Sequence, residues 1–326
     1  MSAEGLLQLR WRPYRFVLPR SLITSRGALV VRAGWLLRVE ASGGALGWGE
    51  AAAPLLAQAD PALAAALGTL PPALPRDVLE QRIPQLPAGL ACALGMALAE
   101  LDGCGAGGWS PAPASAWLLP AGERALDALD RVLDASRLRS SEPLTLKWKV
   151  AAAADSLELG VLEQLLQRLP GSARLRLDAN GGWDVATAHR WADRFMGEPR
   201  LEWLEQPLPP AAWPELQALG ARVPVALDES LPSLHPQQQA TWPGWLVRRP
   251  LQEGDPRPLQ QQLQSGLPRQ MISTAFETGI GRRFVEHLAA LQAQGPTPAA
   301  PGLAPGWRPE GELFAADPER VWEAAA

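Results

Sequence analysis

From residue 114 to residue 274 the chain repeats one pattern of apolar and polar positions. Short apolar runs that end in polar residues alternate with longer segments whose apolar residues recur at helical spacing. Strands that alternate with helices in this way predict parallel strands joined by right-handed crossovers. The predicted strands are residues 114–119, 144–149, 174–178, 201–205, 223–228, 245–249 and 270–274, with a short eighth near Leu303. The predicted helices are residues 122–137, 155–168, 184–195, 211–219, 258–264 and 282–293.

The number of these units favours a closed barrel over an open sheet. Seven or eight strand–helix units within about 195 residues are typical of a (β/α) TIM-type barrel. The alternative is a six-stranded doubly wound sheet. However, no glycine-rich phosphate-binding loop follows any of the predicted strands. We therefore predict an α/β fold built on a (β/α) barrel.

The N-terminal part of the chain follows a different pattern. Alternation at residues 7–11 and within residues 28–39 predicts strands, and residues 24–27 read as a turn between them. Alanine- and leucine-rich segments follow, of which residues 87–101 form the clearest helix candidate. Residues 103–113 are rich in Gly, Pro and Ser and mark a candidate domain boundary.

Composition narrows the class of protein. The chain has 326 residues, a hydrophobic content of 47% and a formal net charge of −4, which suits one large and one smaller packed domain. There is no basic run, so nucleic-acid binding has little support. No apolar stretch approaches the ~18 residues of a membrane span. We expect a soluble, cytoplasmic protein whose partner is a small molecule.

The cysteines and histidines have no metal-binding spacing. Cys92 and Cys104 lie on or just after one predicted helix, where buried thiols are expected. His189 and His287 fall within predicted helices and His235 within a proline-flanked loop, so structural or surface roles are expected for all three.

One strand holds all the lysines of the chain. Of 30 basic residues, only Lys147 and Lys149 are lysines, and the rest are arginines. Strand alternation places both lysines on one face and Leu146 and Trp148 on the other. An arginine stays protonated, whereas a desolvated lysine beside another cation can lose its proton and act as a base. A solvated strand face is the alternative, but the isolation of the pair favours a chemical role.

Charged residues end five successive predicted strands. In a parallel barrel these ends meet at one mouth, where active sites lie. Three converging acids would repel one another unless a cation lay between them, and oxygen ligands favour Mg²⁺, or Mn²⁺, over zinc. Caps of the following helices are the alternative role, and Glu229 is a possible substitute for the third acid. The five residues are Lys149, Asp178, Glu205, Asp228 and Arg249.

These residues predict proton abstraction next to a carboxylate. A metal held by the three acids could bind a substrate carboxylate and stabilise the enediolate formed when a base removes the neighbouring carbon-bound proton. Lys149 would be the base. Lys147, as a cation, would lower the proton affinity of Lys149 and contact the substrate carboxylate.

Several short motifs coincide with these residues. The strand ends read Lys147-x-Lys149, Asp178-x-Asn180, Glu205-Gln206-Pro207 and Asp228-Glu229-Ser230. In this the chain resembles the enolase superfamily, in its muconate-lactonizing subgroup. Similarity to the dehydratase branch of that subgroup extends over nearly the whole chain, at residues 25–27, 47–50, 176–180 and 272–279.

The resemblance implies both an architecture and residue roles. Residues 1–108, joined by residues 306–326, would form an α+β capping domain over a modified barrel of residues 109–305. Lys149 would remove the proton and then help a hydroxyl leave as water, forming an aromatic product in menaquinone or phylloquinone biosynthesis. Other positions match the family's substrate contacts: Asn180, Ser273 and Thr274 in the pocket, and Arg26 in a mobile loop that closes it.

One position departs from the family pattern. The resemblance implies a third lysine before a proline on the sixth strand, where this chain has Arg249-Pro250. Racemases and epimerases need a base on each face of the substrate carbon, and arginine does not readily accept a proton. A dehydratase with one lysine needs only a cation there, so Arg249 favours a dehydratase. Epimerisation, cycloisomerisation and a non-catalytic barrel remain alternatives.

Overall fold

The computed structural model describes residues 5–24, 27–55, 60–137 and 144–325, which form two sheets with surrounding helices. The first sheet is antiparallel, with strand order β3-β2-β1-β4. Its strands are β1 (Leu6–Thr24), β2 (Gly27–Ala41), β3 (Leu46–Ala52) and β4 (Ala73–Pro75). The helices beside it are α1 (Pro61–Thr69), α2 (Arg76–Arg82) and α3 (Ala88–Leu101). The predicted strands and the predicted helix at residues 87–101 are therefore confirmed.

Two glycines bring α3 directly onto the first sheet. A Cβ atom on Gly47 would lie 2.1 Å from the carbonyl oxygen of Ala97, and one on Gly49 would lie 1.9 Å from that of Ala93. Any side chain at either position would force the helix away from β3. This contact buries one face of the sheet, including Leu37.

The second sheet is parallel and its strands follow one another in chain order. The strands are β5 (Trp117–Leu119), β6 (Thr145–Lys149), β7 (Arg174–Asp178), β8 (Leu201–Glu205), β9 (Val225–Leu227), β10 (Trp245–Arg248) and β11 (Gln270–Ile272). Gly302 forms a parallel bridge with Ser273, and the amide of Ala116 donates to the carbonyl of Pro301 over 3.0 Å. Residues 301–302 thus join the two edges, as the predicted eighth strand requires, and the barrel fold is confirmed.

Helices follow each barrel strand. They are α4 (Arg124–Arg137), α5 (Asp155–Arg168), α6 (Val185–Phe195), α7 (Trp213–Gly220), α8 (Pro236–Thr241), α9 (Pro250–Glu253), α10 (Arg257–Gln264) and α11 (Gly279–Ala293). The limits predicted for α5, β7 and β8 agree with the structure. Helix α11 begins three residues earlier than predicted because Thr278 caps it, its side chain accepting from the amide of Ile280.

The C-terminal helix α12 (Pro318–Ala324) packs on the antiparallel sheet. The ring of Trp322 lies edge-on to Trp48, with centroids 5.8 Å apart, and the guanidinium of Arg12 lies 4.8 Å from the Trp322 ring. Helix α3 also contacts the barrel, because Cys92 packs in one apolar cluster with Phe284 of α11. The division at residues 108 and 306 stays a prediction.

The cysteines and histidines lie where the sequence predicted them. Both cysteines are free; Cys92 is buried and Cys104 half-buried. His189 lies in α6 and His287 in α11, as predicted, while His235 directly precedes α8. Within the part of the chain that the structure describes, no helix combines the length and apolarity needed to cross a membrane.

The close approach of α3 to β3 leads to a stability prediction. Gly49→Ala should lower the free energy of unfolding by about 1–3 kcal/mol, because the new methyl group would overlap the Ala93 carbonyl. Urea titration followed by circular dichroism measures this change. Gly43→Ala is the matched control, since a Cβ there would meet nothing within 4 Å. Equal unfolding midpoints for the two variants would contradict the packing argument.

Candidate active site

Two lysines of strand β6 place their buried amines at the barrel mouth. Lys147 and Lys149 are only 6% and 4% exposed, and both Nζ atoms contact Oδ2 of Asp178, at 2.8 and 2.5 Å. Trp148 points to the other side of the strand and packs against Trp191 of α6. The predicted division of this strand into a lysine face and an apolar face is therefore confirmed.

The strand register brings the first two predicted acids to these lysines. Lys149 lies opposite Asp178 in the β6–β7 ladder, and Asp178 lies opposite Glu205 in the β7–β8 ladder. The amine of Lys147 also lies 2.5 Å from Oε1 of Glu205. Lys147 is therefore a cation between two fully buried carboxylates.

Burial and charge shift the pKa values of these groups in different directions. Burial opposes ionisation of Asp178, but the ammonium groups of Lys147 and Lys149 outweigh it and hold the pKa of Asp178 well below its usual range. Burial, reinforced by Asp178, raises the pKa of Glu205, which contacts only one ammonium group. Burial alone would lower the pKa of Lys147, yet Asp178 and Glu205 raise it.

The third acid pairs with the arginine that departs from the family pattern. Arg249 donates to Asp228 from Nε and Nη2, with the shortest contact 2.5 Å, and from Nη1 to the carbonyl of Thr274 over 2.6 Å. Burial would lower the pKa of Arg249, but Asp228 raises it. The structure thus places a fixed, fork-shaped cation opposite the lysines.

Two of the three predicted pocket residues, Ser273 and Thr274, line a small cavity, whereas Asn180 is not part of its lining. Ser273 and Thr274 line a cavity of about 40 Å³ together with both lysines and Arg249, and Leu22 of β1 closes it from the other sheet. A larger cavity of about 250 Å³ shares Thr274, Phe276 and Ala304 with it. Arg26 lies outside the described residues, so its predicted role as a closing lid stays a prediction.

Asn180 connects the amine of Lys149 with a further acid. Its Oδ1 accepts from Lys149 over 2.9 Å and its Nδ2 donates to Oε1 of Glu229 over 3.0 Å. Burial, followed by the charges of Asp228 and Asp178, raises the pKa of Glu229 to about 7. Glu229, considered from the sequence as a substitute for Asp228, instead lies beside Asn180.

Two side chains that the sequence did not single out as site residues hold the loops of the mouth. Oε1 of Gln206 accepts from the amides of Asp228 and Ser230, each over 3.0 Å, which explains why β9 ends before the predicted residue 228. Glu158, in the first turn of α5, accepts from the amides of residues 151–153, which begin two positions after Lys149. For Glu158, the sequence signal was its place as an acid in the first turn of a helix.

Backbone strain marks the same mouth. Among the described non-glycine residues, positive φ angles occur at six positions. Ala151, Asn180, Gln206 and Phe276 lie one to four residues after a strand end, Ala304 lies two residues after the Gly302 bridge, and Arg269 directly precedes β11. Such angles cost of order 1–3 kcal/mol each and concentrate at functional sites. The strain therefore supports placing the active site at this end of the barrel.

The three acids have the chemistry of a metal site, although their side chains pair with basic groups. Asp178, Glu205 and Asp228 are buried oxygen donors from successive strands, which suits a hard divalent cation. Among the described residues, no group of three or more His, Cys, Asp or Glu side chains is arranged to hold a metal. Lys147, Lys149 and Arg249 contact the same carboxylates. The donor types fit such an ion, and the metal site stays a prediction.

The chain is similar in sequence to enzymes of the enolase superfamily. The family described as enolase C-terminal domain-like matches residues 133–241. The o-succinylbenzoate synthase of Thermosynechococcus vestitus is 34% identical over 97% of this chain and 99% of its own length. A chloromuconate cycloisomerase of Delftia acidovorans is 33% identical over 44% of this chain and 38% of its own length.

The similarity to solved structures covers both sheets. The structure of o-succinylbenzoate synthase from Thermosynechococcus elongatus, complexed with Mg in its active site, superposes with a TM-score of 0.77 and 32% identity, covering 97% of this chain and 99% of that one. The L-Ala-D/L-Glu epimerase of Bacillus subtilis, at 17% identity and a TM-score of 0.75 over 94% of this chain and 92% of its own, shares the fold. The chain therefore belongs to the o-succinylbenzoate synthase family of the enolase superfamily.

Proposed function

We propose that the chain forms o-succinylbenzoate from 2-succinyl-6-hydroxy-2,4-cyclohexadiene-1-carboxylate by loss of water, within menaquinone or phylloquinone biosynthesis. The observation that carries this proposal is the contact of both lysine amines with one carboxylate oxygen of Asp178, opposite a fixed arginine. The near full-length similarity to the Thermosynechococcus synthase supports this choice of substrate.

Lys149 acts as base and then as acid. Its amine removes the proton from the ring carbon that bears the carboxylate, and the electron pair of that C–H bond forms a ring double bond as the neighbouring C–O bond breaks. The proton returns from Lys149 to the departing hydroxyl, which leaves as water. The ring becomes aromatic without any oxidant. Asn180, 2.9 Å from the amine, orients it.

The other two cations bind rather than exchange protons. Lys147 contacts the ring carboxylate as a positive charge, and Arg249 supplies a cation on the far face of the ring. Because Arg249 does not accept a proton, the far face has no second base. This favours dehydration over racemisation or epimerisation.

Three carboxylates would hold a divalent metal, Mg²⁺ or Mn²⁺: Asp178, Glu205 and Asp228. When bound, such an ion offsets the negative charge that develops on the substrate carboxylate. The magnesium ion in the related Thermosynechococcus structure supports this choice of cofactor.

Turnover tests the proposed function directly. Incubation with the cyclohexadiene carboxylate and Mg²⁺ should produce aromatic absorbance, because loss of water introduces the third ring double bond and makes the ring aromatic. A dipeptide or an N-acylamino acid incubated in D₂O should keep the configuration of its α-carbon, because a single base can return a proton or deuteron only to the face from which it was taken. Inversion with deuterium incorporation and without aromatic product would instead support an epimerase, and no reaction with any of these substrates would support a non-catalytic barrel.

The two lysines should differ in their tolerance of arginine. Lys149→Arg should lower kcat by about 10²–10⁴-fold, because the charge remains but the proton can no longer be exchanged. Lys147→Arg should lower kcat less, because its role as a cation survives. Steady-state kinetics with circular dichroism as a control for folding measures both. Full activity of Lys149→Arg would show that the base is wrongly assigned.

Metal binding should stabilise the fold through the buried acids. Mg²⁺ should raise the melting temperature of the parent protein, because an ion that binds only the folded state favours it. Asp178→Asn should abolish the rise, and EDTA should abolish turnover until Mg²⁺ is restored. Asp184→Asn is the matched control, since Asp184 caps α6 and asparagine caps equally well. An equal rise in both variants would exclude Asp178 as a ligand.

A further inference from the structure

A buried carboxylate of the antiparallel sheet reaches into the barrel. Glu50, in β3, is fully buried and accepts from the amide and hydroxyl of Thr278, with Thr278 Oγ1 2.5 Å and its amide nitrogen 2.9 Å from Oε2. The amide of Gly281 donates to the same oxygen over 3.0 Å. On the other side, the hydroxyl of Tyr14 donates to Oε1 over 2.7 Å. One carboxylate therefore holds the start of α11.

The sequence of α11 leaves space for this carboxylate. A Cβ on Gly281 would lie 2.6 Å from Oε2 of Glu50, and one on Gly279 would lie 1.9 Å from the carbonyl oxygen of Ala315. The first turn of the helix is thus packed between the first sheet and the C-terminal segment. No side chain larger than hydrogen fits at either position without a shift of the neighbouring backbone or carboxylate.

Hydrogen bonds continue from the start of α11 to the pocket. Glu277, directly before the Thr278 cap, accepts from the hydroxyl of Thr274 over 2.6 Å and from the amide of Ala275. The hydroxyl of Thr274 accepts in turn from the amide of Phe276 over 2.7 Å. These bonds fix the turn over residues 274–277, whose strained Phe276 has a φ of 63°.

The same turn holds the far-face cation. The carbonyl of Thr274 accepts from Nη1 of Arg249 over 2.6 Å, and Arg249 contacts both carboxylate oxygens of Asp228. Two sets of hydrogen bonds, joined by the backbone of Glu277 and Thr278, thus lead from the first sheet to the mouth of the barrel. A shift of α11 would move the carbonyl that fixes the Arg249 fork.

We propose that Glu50 is a positioning residue of the active site, which acts through the start of α11 and the Thr274 carbonyl on the orientation of Arg249. This inference rests on the proposed function, because it assigns Arg249 its place on the far face of the substrate. Glu50 does not contact the small cavity itself, whose described lining includes Leu22 as the contribution of the first sheet.

A second contact between the two parts of the chain provides a matched control. Arg257, at the start of α10, donates to both carboxylate oxygens of Glu80 in α2, over 2.8 and 2.6 Å. Its other side-chain bonds go to Asp255. This contact also joins an acid beside the first sheet to a barrel helix, but it leads to α10 rather than to the Thr274 turn.

Kinetics of matched carboxylate-to-amide variants tests the proposal. Glu50→Gln removes the negative charge and replaces one of the two acceptor oxygens with an N–H donor, so the bonds from Tyr14, Thr278 and Gly281 cannot all be kept. The value of kcat per folded site should therefore fall on the order of 10- to 100-fold, as for other small displacements far from the chemistry. Glu80→Gln should leave kcat within about twofold of the parent, since contacts away from a coupled site act independently. Thr278→Val should behave like Glu50→Gln, and Thr278→Ser should restore activity because it keeps the hydroxyl.

A double-mutant cycle identifies the route. If Glu50 acts through Arg249, Glu50→Gln should lower kcat by no more than about threefold in an Arg249→Lys background, well below its effect alone. Fully multiplicative effects, or unchanged kcat for both Glu50→Gln and Thr278→Val with lowered melting temperatures, would overturn the proposal and leave Glu50 as a contact between sheets. Failure of the parent protein to form the aromatic product would instead contradict the proposed function.

Discussion

Charge compensation inside the barrel mouth constrains the rest of the structure. Removing a carboxylate from water costs several kcal/mol even after the protein relaxes around it. This is a large fraction of the free energy of unfolding of a typical protein, about 5–15 kcal/mol. Asp178 and Glu205 are fully buried, and Lys147 and Lys149 supply the positive charge beside them. This pairing depends on strand register, because a slip of one residue would turn the lysines toward the helices.

The regular elements could be predicted because their signals are local. Apolar periodicity over a few residues was enough to locate α5, β7 and β8 within their observed limits. The errors lie where distant side chains set the ends of elements. The amide of Asp228 donates to the side chain of Gln206 instead of continuing the strand ladder. At the start of α11, the amide of Thr278 donates to Glu50. Thr278 itself is a local signal for the start of α11, whereas nothing near Asp228 signals its contact with Gln206.

The candidate site was predictable in its residues but not in its pairings. Strand ends alone indicate which charged groups meet at the mouth, because parallel strands share one carboxyl edge. They do not show which acid contacts which base. The structure pairs Asp228 with Arg249 and shares Asp178 between two lysines, and neither pairing follows from the sequence. The pairing of charged side chains at the barrel mouth depends on side-chain geometry, and the apolar periodicity of the sequence carries no information about that geometry.

The choice between lysine and arginine follows the same geometry. Arg249 contacts Asp228 through Nε and Nη2 and the Thr274 carbonyl through Nη1, so its planar group fixes three donors at different positions, whereas a lysine would have to use one nitrogen for all of them. The lysines, in contrast, each bring one compact charge to a shared oxygen of Asp178. Under the proposed function, arginine stands where a permanent charge has to be oriented, and Lys149 where a proton has to be exchanged. Because the Thr274 carbonyl is held through α11 by Glu50, the orientation of that permanent charge depends on the antiparallel sheet as much as on the barrel.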